Sequence, residues 1–259
     1  MTPRFRLVVV ALLSAAALVP AVGAQAAPDI NLNRPTLTYG GVPVWGTLQN
    51  LPGMGSKEFT WVGPTLAPTI EAYYAGDRWR ADLARSRDRA KALLRTLLDQ
   101  QCGGDPKACK AMVVFDIDET LLNNYGYWST QDPPFTLDSA TFATWATSCG
   151  ESALKPTVQF YKYAQKMGVK IALITGRAES LRKATRECLK KRGMTGWHEL
   201  ILKGPDDTRM ASWFKADARA TLERRGYTIL VSVGDQLSDM AHGHTLSGVW
   251  LPNPMYFIP

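Results

Sequence analysis

Two aspartates separated by one residue follow an apolar run, and this pair could carry catalytic or metal-binding chemistry. The run is rich in Val, begins at Ala111 and leads into Asp116 and Asp118. Such a run is typical of a buried β-strand, and side chains two residues apart on a strand share one face. Both carboxylates can then enter one site, where a cation or a shared proton must offset their repulsion. Acidic turn residues at the end of an ordinary strand would have the same spacing.

Three further segments have residue types that suit phosphate chemistry. They are, in order, Leu173-Ile-Thr-Gly-Arg177, the single residue Lys215, and Val233-Gly-Asp-Gln-Leu-Ser-Asp239. Together with Asp116-Ile-Asp-Glu-Thr-Leu-Leu122, they resemble motifs I to IV of the haloacid-dehalogenase (HAD) superfamily, the aspartate-based phosphohydrolases. Four motifs in the right order are more specific than any one of them. The resemblance covers roughly residues 70 to 255.

A closer resemblance is to the secreted acid phosphatases of HAD subfamily IIIB, which include bacterial class C enzymes and plant vegetative-storage-protein-like phosphatases. Tyr127 and the run Gly226-Tyr-Thr-Ile-Leu230 carry this closer match. Motif IV departs from the class C pattern, which has Asn or Thr, and then an acid, where this chain has Gln236 and Ser238. It is more similar to the plant branch, some of whose storage members lack the nucleophile that this chain retains as Asp116.

The resemblance implies a role for each of four residues. A carboxylate can serve as a covalent nucleophile, and Asp116 would attack phosphorus to form an aspartyl-phosphate. Asp118 would protonate the leaving oxygen and then act as the base for water. Phosphoryl transfer also requires positive charge and hydrogen bonds around the phosphate oxygens, which Lys215 and the Thr175 hydroxyl would supply.

The resemblance also implies a metal site among the acidic residues. Clustered carboxylates favour a hard cation that prefers oxygen ligands, and Mg²⁺ is the expected ion. Asp116, Asp235 and the backbone carbonyl of Asp118 are the expected ligands. Asp239 would bind the ion through water or support the ligands by hydrogen bonds.

Two basic positions have alternative interpretations. The motif III lysine is expected at Lys215, on a helix before Gly226, although Lys203 follows a predicted strand and could also project into the site. Arg177 would bind the substrate phosphate or pair with an acid.

Alternating strand and helix patterns from residue 111 onwards predict how these residues are positioned. Such alternation predicts an α/β fold with a mainly parallel sheet and helices on both faces, and the resemblance implies that this fold is the HAD-like, doubly wound kind. Ligands bind beyond the carboxyl ends of such strands, where Asp116, Thr175 and Asp235 would meet. Strands are predicted at 111–117, 169–174, 199–203, 228–233 and 248–251, and helices near 156–167, 178–192 and 210–225.

A small helical cap is expected at about 123–154, inserted after the first core strand, because HAD enzymes have such a cap there. It is rich in aromatic residues that could stack on a substrate ring or hold the cap on the core. Tyr127 and Trp128 lie nearest motif I and are predicted to contact the substrate. Phe142 and Trp145 are predicted to be packing residues.

The N-terminal part of the chain is predicted to lie outside this domain. Arg4 and Arg6 precede a short apolar run and small residues, which indicates a signal peptide over 1–26, cleaved after Ala24 or Ala26. A membrane anchor is the rival interpretation, but the run is short for a spanning helix. An extended arm is expected over 27–68 and the phosphatase domain over 69–259, beginning with one long helix at 69–100.

Four cysteines in an exported protein suggest disulfides, although free structural thiols would also fit. Three pairings are possible. Cys102 and Cys109 flank a Gly-Gly-Asp-Pro turn and can meet easily, which leaves Cys149 for Cys188.

The formal charge of +7 falls to about +5 without Arg4 and Arg6, which suits an acidic small-molecule substrate. Nucleic-acid motifs and basic tracts are absent from the sequence, so a nucleic-acid polymer is not an expected partner. No membrane anchor is expected after signal cleavage.

The function predicted from the sequence is that of an exported, periplasmic or secreted, Mg²⁺-dependent acid phosphatase that hydrolyses phosphomonoesters. The first alternative is a secreted storage or binding protein with little activity on a HAD scaffold. The second is a narrow 5′-nucleotidase, and a phosphotransferase that replaces water by an alcohol is a third.

Overall fold

Seven strands form one central sheet in the computed structural model of the protein, which describes residues 35, 37–39, 41–46, 60–61 and 66–258. In chain order the strands of this sheet are β1 (Leu37–Tyr39), β2 (Val42–Gly46), β4 (Ala111–Phe115), β7 (Lys170–Ala178), β8 (Glu199–Lys203), β9 (Thr228–Gly234) and β10 (Ser247–Trp250). Two small pairs lie outside it: β3 (Thr60–Trp61) with β11 (Tyr256–Phe257), and β5 (Leu122–Asn123) with β6 (Ser152–Ala153).

The strand order is β1-β2-β10-β9-β4-β7-β8, and β1 alone among these strands is antiparallel to its neighbour. The carboxyl ends of β4, β7 and β9 therefore lie side by side at one edge of the sheet. This arrangement confirms the predicted mainly parallel α/β fold.

Helices cover both faces of the sheet. They are α1 (Ala67–Ala75), α2 (Asp77–Cys102), α3 (Tyr125–Trp128), α4 (Ser139–Ser148), α5 (Lys155–Lys166), α6 (Arg182–Lys191) and α7 (Ala211–Arg224). Alternate residues of β4 face opposite layers: Val113 and Phe115 pack with α2, α5 and α6, whereas Met112 and Val114 pack with α7. Both faces of β4 are thus buried, which explains its continuous apolar sequence.

The single helix expected over 69–100 is in fact two helices, α1 and α2, which meet at Gly76. Gly76 has φ −82° and ψ 167°, an extended conformation that interrupts the helix, and its N–H donates to Ala72 O at 3.1 Å. Glycine is a poor helix former, and Asp77 then begins α2 with an acid in its first turn.

The segment expected to be an extended N-terminal arm contributes strands to the main sheet. β2 pairs in parallel with β10, and the Trp45 side chain is buried in the main hydrophobic core. The predicted signal peptide lies outside the described residues, as does most of the segment between β2 and α1.

The region expected to be a cap, 123–154, contains α3 and α4 and is closed at its base by the β5–β6 pair. Tyr127, Trp128 and Phe135 are buried there in a cluster with Tyr73 and Tyr74 of α1. Aromatic packing against α1 therefore attaches this region to the rest of the fold.

Two disulfides are present, Cys102–Cys109 and Cys149–Cys188. The first closes the turn after α2, and the second connects the end of α4 to α6. Among the residues that the structure describes, no helix has the length and apolar character that crossing a membrane would need.

Candidate active site

A cavity of about 370 Å³ opens at the carboxyl ends of β4, β7 and β9. Its floor is polar and its side is an apolar wall, a name used here for Trp128, Leu137, Phe142, Ala143, Leu181 and Ile258. The floor includes Asp116, Asp118, Arg177, Lys215, Asp235, Gln236 and Ser238. The cavity thus brings together residues from all four motifs.

Asp116 and Lys215 form a buried ion pair on the floor. Lys215 Nζ donates to Asp116 Oδ1 at 2.8 Å and also contacts Asp239 Oδ1. Burial raises the pKa of Asp116 well above its usual range; Lys215 opposes this effect, and Asp239 adds to it. Burial disfavours the charged form of Lys215, but Asp116 and Asp239 outweigh it and raise the pKa of the amine. Lys215 therefore remains a cation.

Three carboxylates, those of Asp116, Asp235 and Asp239, lie together as an acid cluster. One oxygen from each lies within 4.8 Å of the others, and all three residues are buried. Burial, and then Asp239, raise the pKa of Asp235 to about 8. Lys215 supplies one positive charge to three acids, so the cluster favours a further cation, and its hard oxygen ligands fit a divalent ion.

Asp235 and Asp239 differ in how fully their oxygens are used. Asp235 Oδ2 accepts from Gln236 Nε2 at 2.6 Å and from Asn253 Nδ2 at 2.8 Å. Asp235 Oδ1 has one longer contact, with Thr120 Oγ1 at 3.2 Å. Both oxygens of Asp239 are engaged, one by Lys215 and the other by the Gln236 N–H at 2.9 Å. The geometry thus favours Asp235 as a direct ligand and Asp239 as its support.

Asp118 is held by Arg177 and Asn124. Arg177 donates to both oxygens of Asp118, from Nε at 2.9 Å to Oδ2 and from Nη2 at 2.6 Å to Oδ1. Asn124 Nδ2 donates to Oδ1 at 2.9 Å. Burial alone would raise the pKa of Asp118, but the charge and hydrogen bonds of Arg177 hold it below its ordinary value. Of the two interpretations of Arg177, pairing with an acid is the one observed.

Glu119 stands beside Asp118 in a left-handed conformation, with φ 50°. Its carboxylate accepts from the Asn124 N–H at 2.9 Å and from the Tyr256 hydroxyl. Burial and then the charge of Asp118 raise the pKa of Glu119 to about 8. Such backbone conformations concentrate at functional sites, and this one lies within motif I, directly after Asp118.

The loop that carries Asp239 is fixed from below by Arg219 of α7. This fully buried guanidinium donates to Asp239 O at 2.6 Å, to Gly243 O at 3.1 Å and to Ala241 O. Gly234 is required on the other side, because a Cβ at that position would overlap the Asp239 carboxylate.

Thr175 and Lys203 occupy different environments. Thr175 is fully buried within β7 and is not among the residues that line the cavity; its Oγ1 accepts from the Arg177 N–H at 3.2 Å and keeps its own proton to donate. Lys203 contacts the Arg209 carbonyl oxygen in an exposed position and does not line the cavity. Between the two lysines considered for motif III, only Lys215 therefore reaches Asp116.

The aromatic residues that line the cavity are not the pair that was predicted to contact the substrate. Trp128 lines the cavity, but Tyr127 does not. The Tyr127 hydroxyl is used inside the cap, where it donates to Asp138 O at 2.8 Å, so its position does not support substrate contact. Phe142, expected only to pack, is part of the apolar wall, while Trp145 donates to Asn124 Oδ1 at 3.0 Å.

Several residues of the site carry no sequence signal that would identify them. Glu151 contacts Arg177 from the end of the cap, and Arg219 lies on an ordinary amphipathic helix. Asn253 and Tyr256 reach the site from the segment after β10. Asn124 alone could have been suspected, as a polar residue shortly after motif I.

A sequence profile of the HAD superfamily, subfamily IIIB (acid phosphatase), matches residues 49–259. The chain belongs to this family. This match confirms two predictions made from the sequence: that the chain belongs to subfamily IIIB, and that it is an enzyme of the HAD-type acid phosphatase class. A small phosphoester substrate fits this phosphatase family.

Relatives of this subfamily IIIB chain include both enzymes and storage proteins. It is 33% identical to Acid phosphatase 1 of Solanum lycopersicum over 196 residues, 74% of each chain. It is 32% identical to Vegetative storage protein 1 of Arabidopsis thaliana over 155 residues, 56% of this chain and 55% of that protein. Among solved structures, the class C acid phosphatase from Bacillus anthracis aligns with a TM-score of 0.58 and 19% identity, over 75% of this chain and 86% of that one. This last similarity supports the fold.

Proposed function

We propose that the protein is an exported, Mg²⁺-dependent acid phosphatase that hydrolyses phosphomonoesters through an aspartyl-phosphate. One observation carries the proposal: Asp116 lies 2.8 Å from the Lys215 ammonium in a cavity that also contains Asp118. A nucleophile, a cation for the phosphate oxygens and a proton donor are thus available to one substrate.

In the first step Asp116 attacks phosphorus, and the bond from phosphorus to the ester oxygen breaks. The leaving oxygen takes a proton from Asp118, which makes the leaving group an alcohol. Lys215 and the Thr175 hydroxyl stabilise the charge on the phosphoryl oxygens. The charge and hydrogen bonds of Arg177 lower the pKa of Asp118, which favours its ionised form and so its second role, as the base for water.

In the second step Asp118 takes a proton from water, whose oxygen attacks the phosphorus of the aspartyl-phosphate. The bond between phosphorus and the Asp116 oxygen then breaks, and inorganic phosphate is released. An alcohol in place of water would give a phosphotransferase by the same route.

Mg²⁺ is the ion proposed for the acid cluster. Asp116, Asp235 and the backbone carbonyl of Asp118 would bind it, with Asp239 as a supporting residue. When bound, the ion offsets the repulsion between the substrate phosphate and the carboxylates.

The apolar wall bears on which esters are accepted. Beyond the floor, the cavity is lined by aliphatic and aromatic side chains, together with Ser139 and Ser180. Aryl phosphates and nucleoside monophosphates both present a ring to such a surface. We therefore keep the narrow 5′-nucleotidase as the alternative to a broad phosphatase, to be separated by comparing nucleotides with simple aryl and alkyl esters.

The decisive experiment is hydrolysis of an aryl phosphate between about pH 5 and pH 7, with Mg²⁺ and with EDTA. Wild type, Asp116→Asn and the exposed control Asp206→Asn would be compared. Turnover that needs the metal and is lost only in Asp116→Asn is expected. A turnover unchanged in Asp116→Asn would contradict the covalent mechanism.

A storage role is the alternative that the relatives suggest, because vegetative storage proteins are among them. The retained Asp116, Asp118, Thr175 and Lys215 favour catalysis. A folded, Mg²⁺-loaded wild type with no turnover on aryl, alkyl and nucleoside phosphates would favour storage.

Export is proposed from the N-terminal sequence and is consistent with the two disulfides, which persist in oxidising compartments. N-terminal sequencing of the exported protein is expected to give a start at Gln25 or Ala27. Retention of the first residues on an exported, membrane-bound protein would favour the anchor.

A further inference from the structure

Glu151 is a fully buried acid to which the proposed reaction gives no part. It lies between Cys149, where α4 ends, and the strand β6. Its Oε1 accepts from Arg177 Nη2 at 2.6 Å, although the two residues lie 26 positions apart in sequence. Burial raises the pKa of Glu151 and Arg177 opposes this, so the guanidinium favours its charged form. A buried acid needs such a partner to remain ionised.

The planar guanidinium of Arg177 is held by three residues, Asp118, Glu151 and Thr185. Nη2 is shared between Asp118 Oδ1 and Glu151 Oε1, each at 2.6 Å. Nε reaches the second oxygen of Asp118 at 2.9 Å, and Nη1 reaches Thr185 Oγ1 of α6 at 3.3 Å. Because Arg177 has a rigid fork of donors, its orientation sets the orientation of the Asp118 carboxylate. Without Glu151, Nη2 of Arg177 would lose one of its two charged partners.

The Cys149–Cys188 disulfide fixes the backbone that carries Glu151. Cys149 lies two residues before Glu151, and Cys188 lies one helical turn after Thr185 on α6. The Cys188 sulfur is 3.4 Å from Glu151 Oε2. Arg192 Nη2 also donates to Cys149 O at 3.0 Å. The cap end and α6 are thus joined at the point where both contact Arg177.

We propose that Glu151 is a positioning residue, which holds Arg177 and through it the Asp118 carboxylate, and that the Cys149–Cys188 disulfide keeps Glu151 in place. This inference rests on the proposed role of Asp118 as the proton donor. Glu151 itself does not line the cavity. Its loss should therefore impair proton donation rather than binding.

The test compares two substrates whose leaving groups differ in how strongly they depend on protonation. A nitrophenyl ester leaves as a stable anion, whereas an alkyl ester requires protonation of its oxygen. We expect Glu151→Ala to lower kcat on the alkyl ester by about tenfold or more, to change kcat on the nitrophenyl ester by less than about threefold, and to leave KM unchanged. Glu151→Gln retains an acceptor oxygen and should recover part of the loss. Exposed Glu187 on α6 provides the control variant Glu187→Ala, which is expected to behave like wild type.

The disulfide is tested by the double variant Cys149→Ser/Cys188→Ser, which retains Cys102–Cys109. It is expected to show the same selective loss on the alkyl ester. Wild-type activity on both esters in the double variant would overturn the part assigned to the disulfide.

Asp118→Asn separates a failure of this inference from a failure of the proposed function. Suppose that Asp118→Asn loses kcat on the alkyl ester but keeps it on the nitrophenyl ester. If kcat of Glu151→Ala is then unchanged on both esters, or lowered equally on both, the positioning role is wrong. If Asp118→Asn is itself unselective, the proton-donor role fails first. Should Glu151→Ala be unfolded at the assay temperature, Glu151→Gln decides, and equal losses on both esters would count against the proposal.

Discussion

Lys215 and Arg219 lie one helical turn apart on α7, and both contact Asp239. Lys215 reaches the Asp239 carboxylate, and Arg219 donates to its backbone carbonyl at 2.6 Å. Residues four apart share a face of a helix, so α7 delivers two cations to one loop. One of them also reaches Asp116 at 2.8 Å, and the other is committed to backbone oxygens. Their loss should therefore have different consequences.

Replacing Lys215 should abolish most of the activity. Lys215→Ala removes the charge that faces the phosphate and leaves Asp116 and Asp239 without their common partner. We expect kcat to fall by about 10²-fold to 10³-fold, as for loss of a donor to developing charge. Steady-state kinetics on an aryl phosphate measures the effect.

Lys203→Ala is the matched control, because Lys203 follows the neighbouring strand β8 but contacts Arg209 outside the cavity. Wild-type kinetics is expected for it. A large loss in Lys203→Ala together with an active Lys215→Ala would reverse the assignment of the motif III lysine.

Replacing Arg219 should reduce stability more than any surface change on α7. Arg219→Met removes the donor to the carbonyls of Ala241 and Gly243, whereas the Asp239 carbonyl still accepts from Ser232 Oγ at 2.7 Å. At about 1 kcal/mol for each of these two unsatisfied groups, unfolding in urea should show a loss of about 2 kcal/mol. The exposed residue Arg224 gives the control Arg224→Met, which should lie within about 0.5 kcal/mol of wild type.

A methyl group at Gly234 should disturb Asp239 directly. The added Cβ would overlap the Asp239 carboxylate, which must then move away from Lys215 and from the Gln236 N–H. Gly234→Ala is expected to weaken Mg²⁺ activation by about tenfold or more, measured as the metal concentration for half-maximal rate. Gly204→Ala meets no atom within 4 Å and should leave the metal dependence unchanged. Equal metal dependence in the two variants would argue against a role of Asp239 near the ion.

Phe142 should contribute to binding of aryl esters. Phe142→Ala removes part of the apolar wall, and we expect KM for an aryl phosphate to rise by about tenfold, the equivalent of about 1.4 kcal/mol. KM for a small alkyl phosphate should change little. Tyr127→Phe loses the hydrogen bond to Asp138 O and should lower the Tm while leaving both KM values unchanged. A raised KM in Tyr127→Phe alone would restore Tyr127 as the substrate contact.

The stability of α4 should depend on pH through Asp138. The Asp138 carboxylate accepts from the Thr141 N–H at 2.7 Å at the start of α4, and this bond lowers its pKa below 3.8. A pKa that is lower in the folded state contributes stability above the unfolded value and loses it as the pH falls through the folded value. The Tm difference between wild type and Asp138→Ala should thus be largest near pH 7 and narrow below about pH 4. A Tm difference that stays constant down to about pH 2 would exclude a stabilising role for the ionised Asp138 carboxylate at the start of α4.

The first core strand, β4, could be predicted because both of its faces are buried. Val113, Val114 and Phe115 form a continuous apolar run that only a covered strand explains. Because Asp116 and Asp235 each follow a predicted parallel strand, their proximity could be predicted as well. The strand β2 was missed because its sequence, Val-Pro-Val-Trp-Gly, contains a proline and a glycine, and its pairing with β10 is decided by contacts far along the chain.

The partners of the proposed catalytic and metal-binding residues could not be predicted, since each pair is brought together only by the fold. Glu151 and Arg177 lie 26 residues apart, and Asn253 reaches Asp235 from beyond β10. Their residue types are common on protein surfaces, so only burial reveals them. Tyr127 was misplaced for a related reason: proximity to motif I in sequence does not fix the direction of a side chain on a short helix.

The position of β2 beside β10 has a consequence for how the molecule acquires its structure. Val44 pairs with Gly248, so one of the first described strands must wait for one of the last. Asn253 and Tyr256, which contact Asp235 and Glu119, follow β10. Such distant pairings make folding slow, because a long loop has to close before they stabilise anything. The sheet and the site are therefore complete only once the segment after α7, which carries β9, β10, Asn253 and Tyr256, is in place.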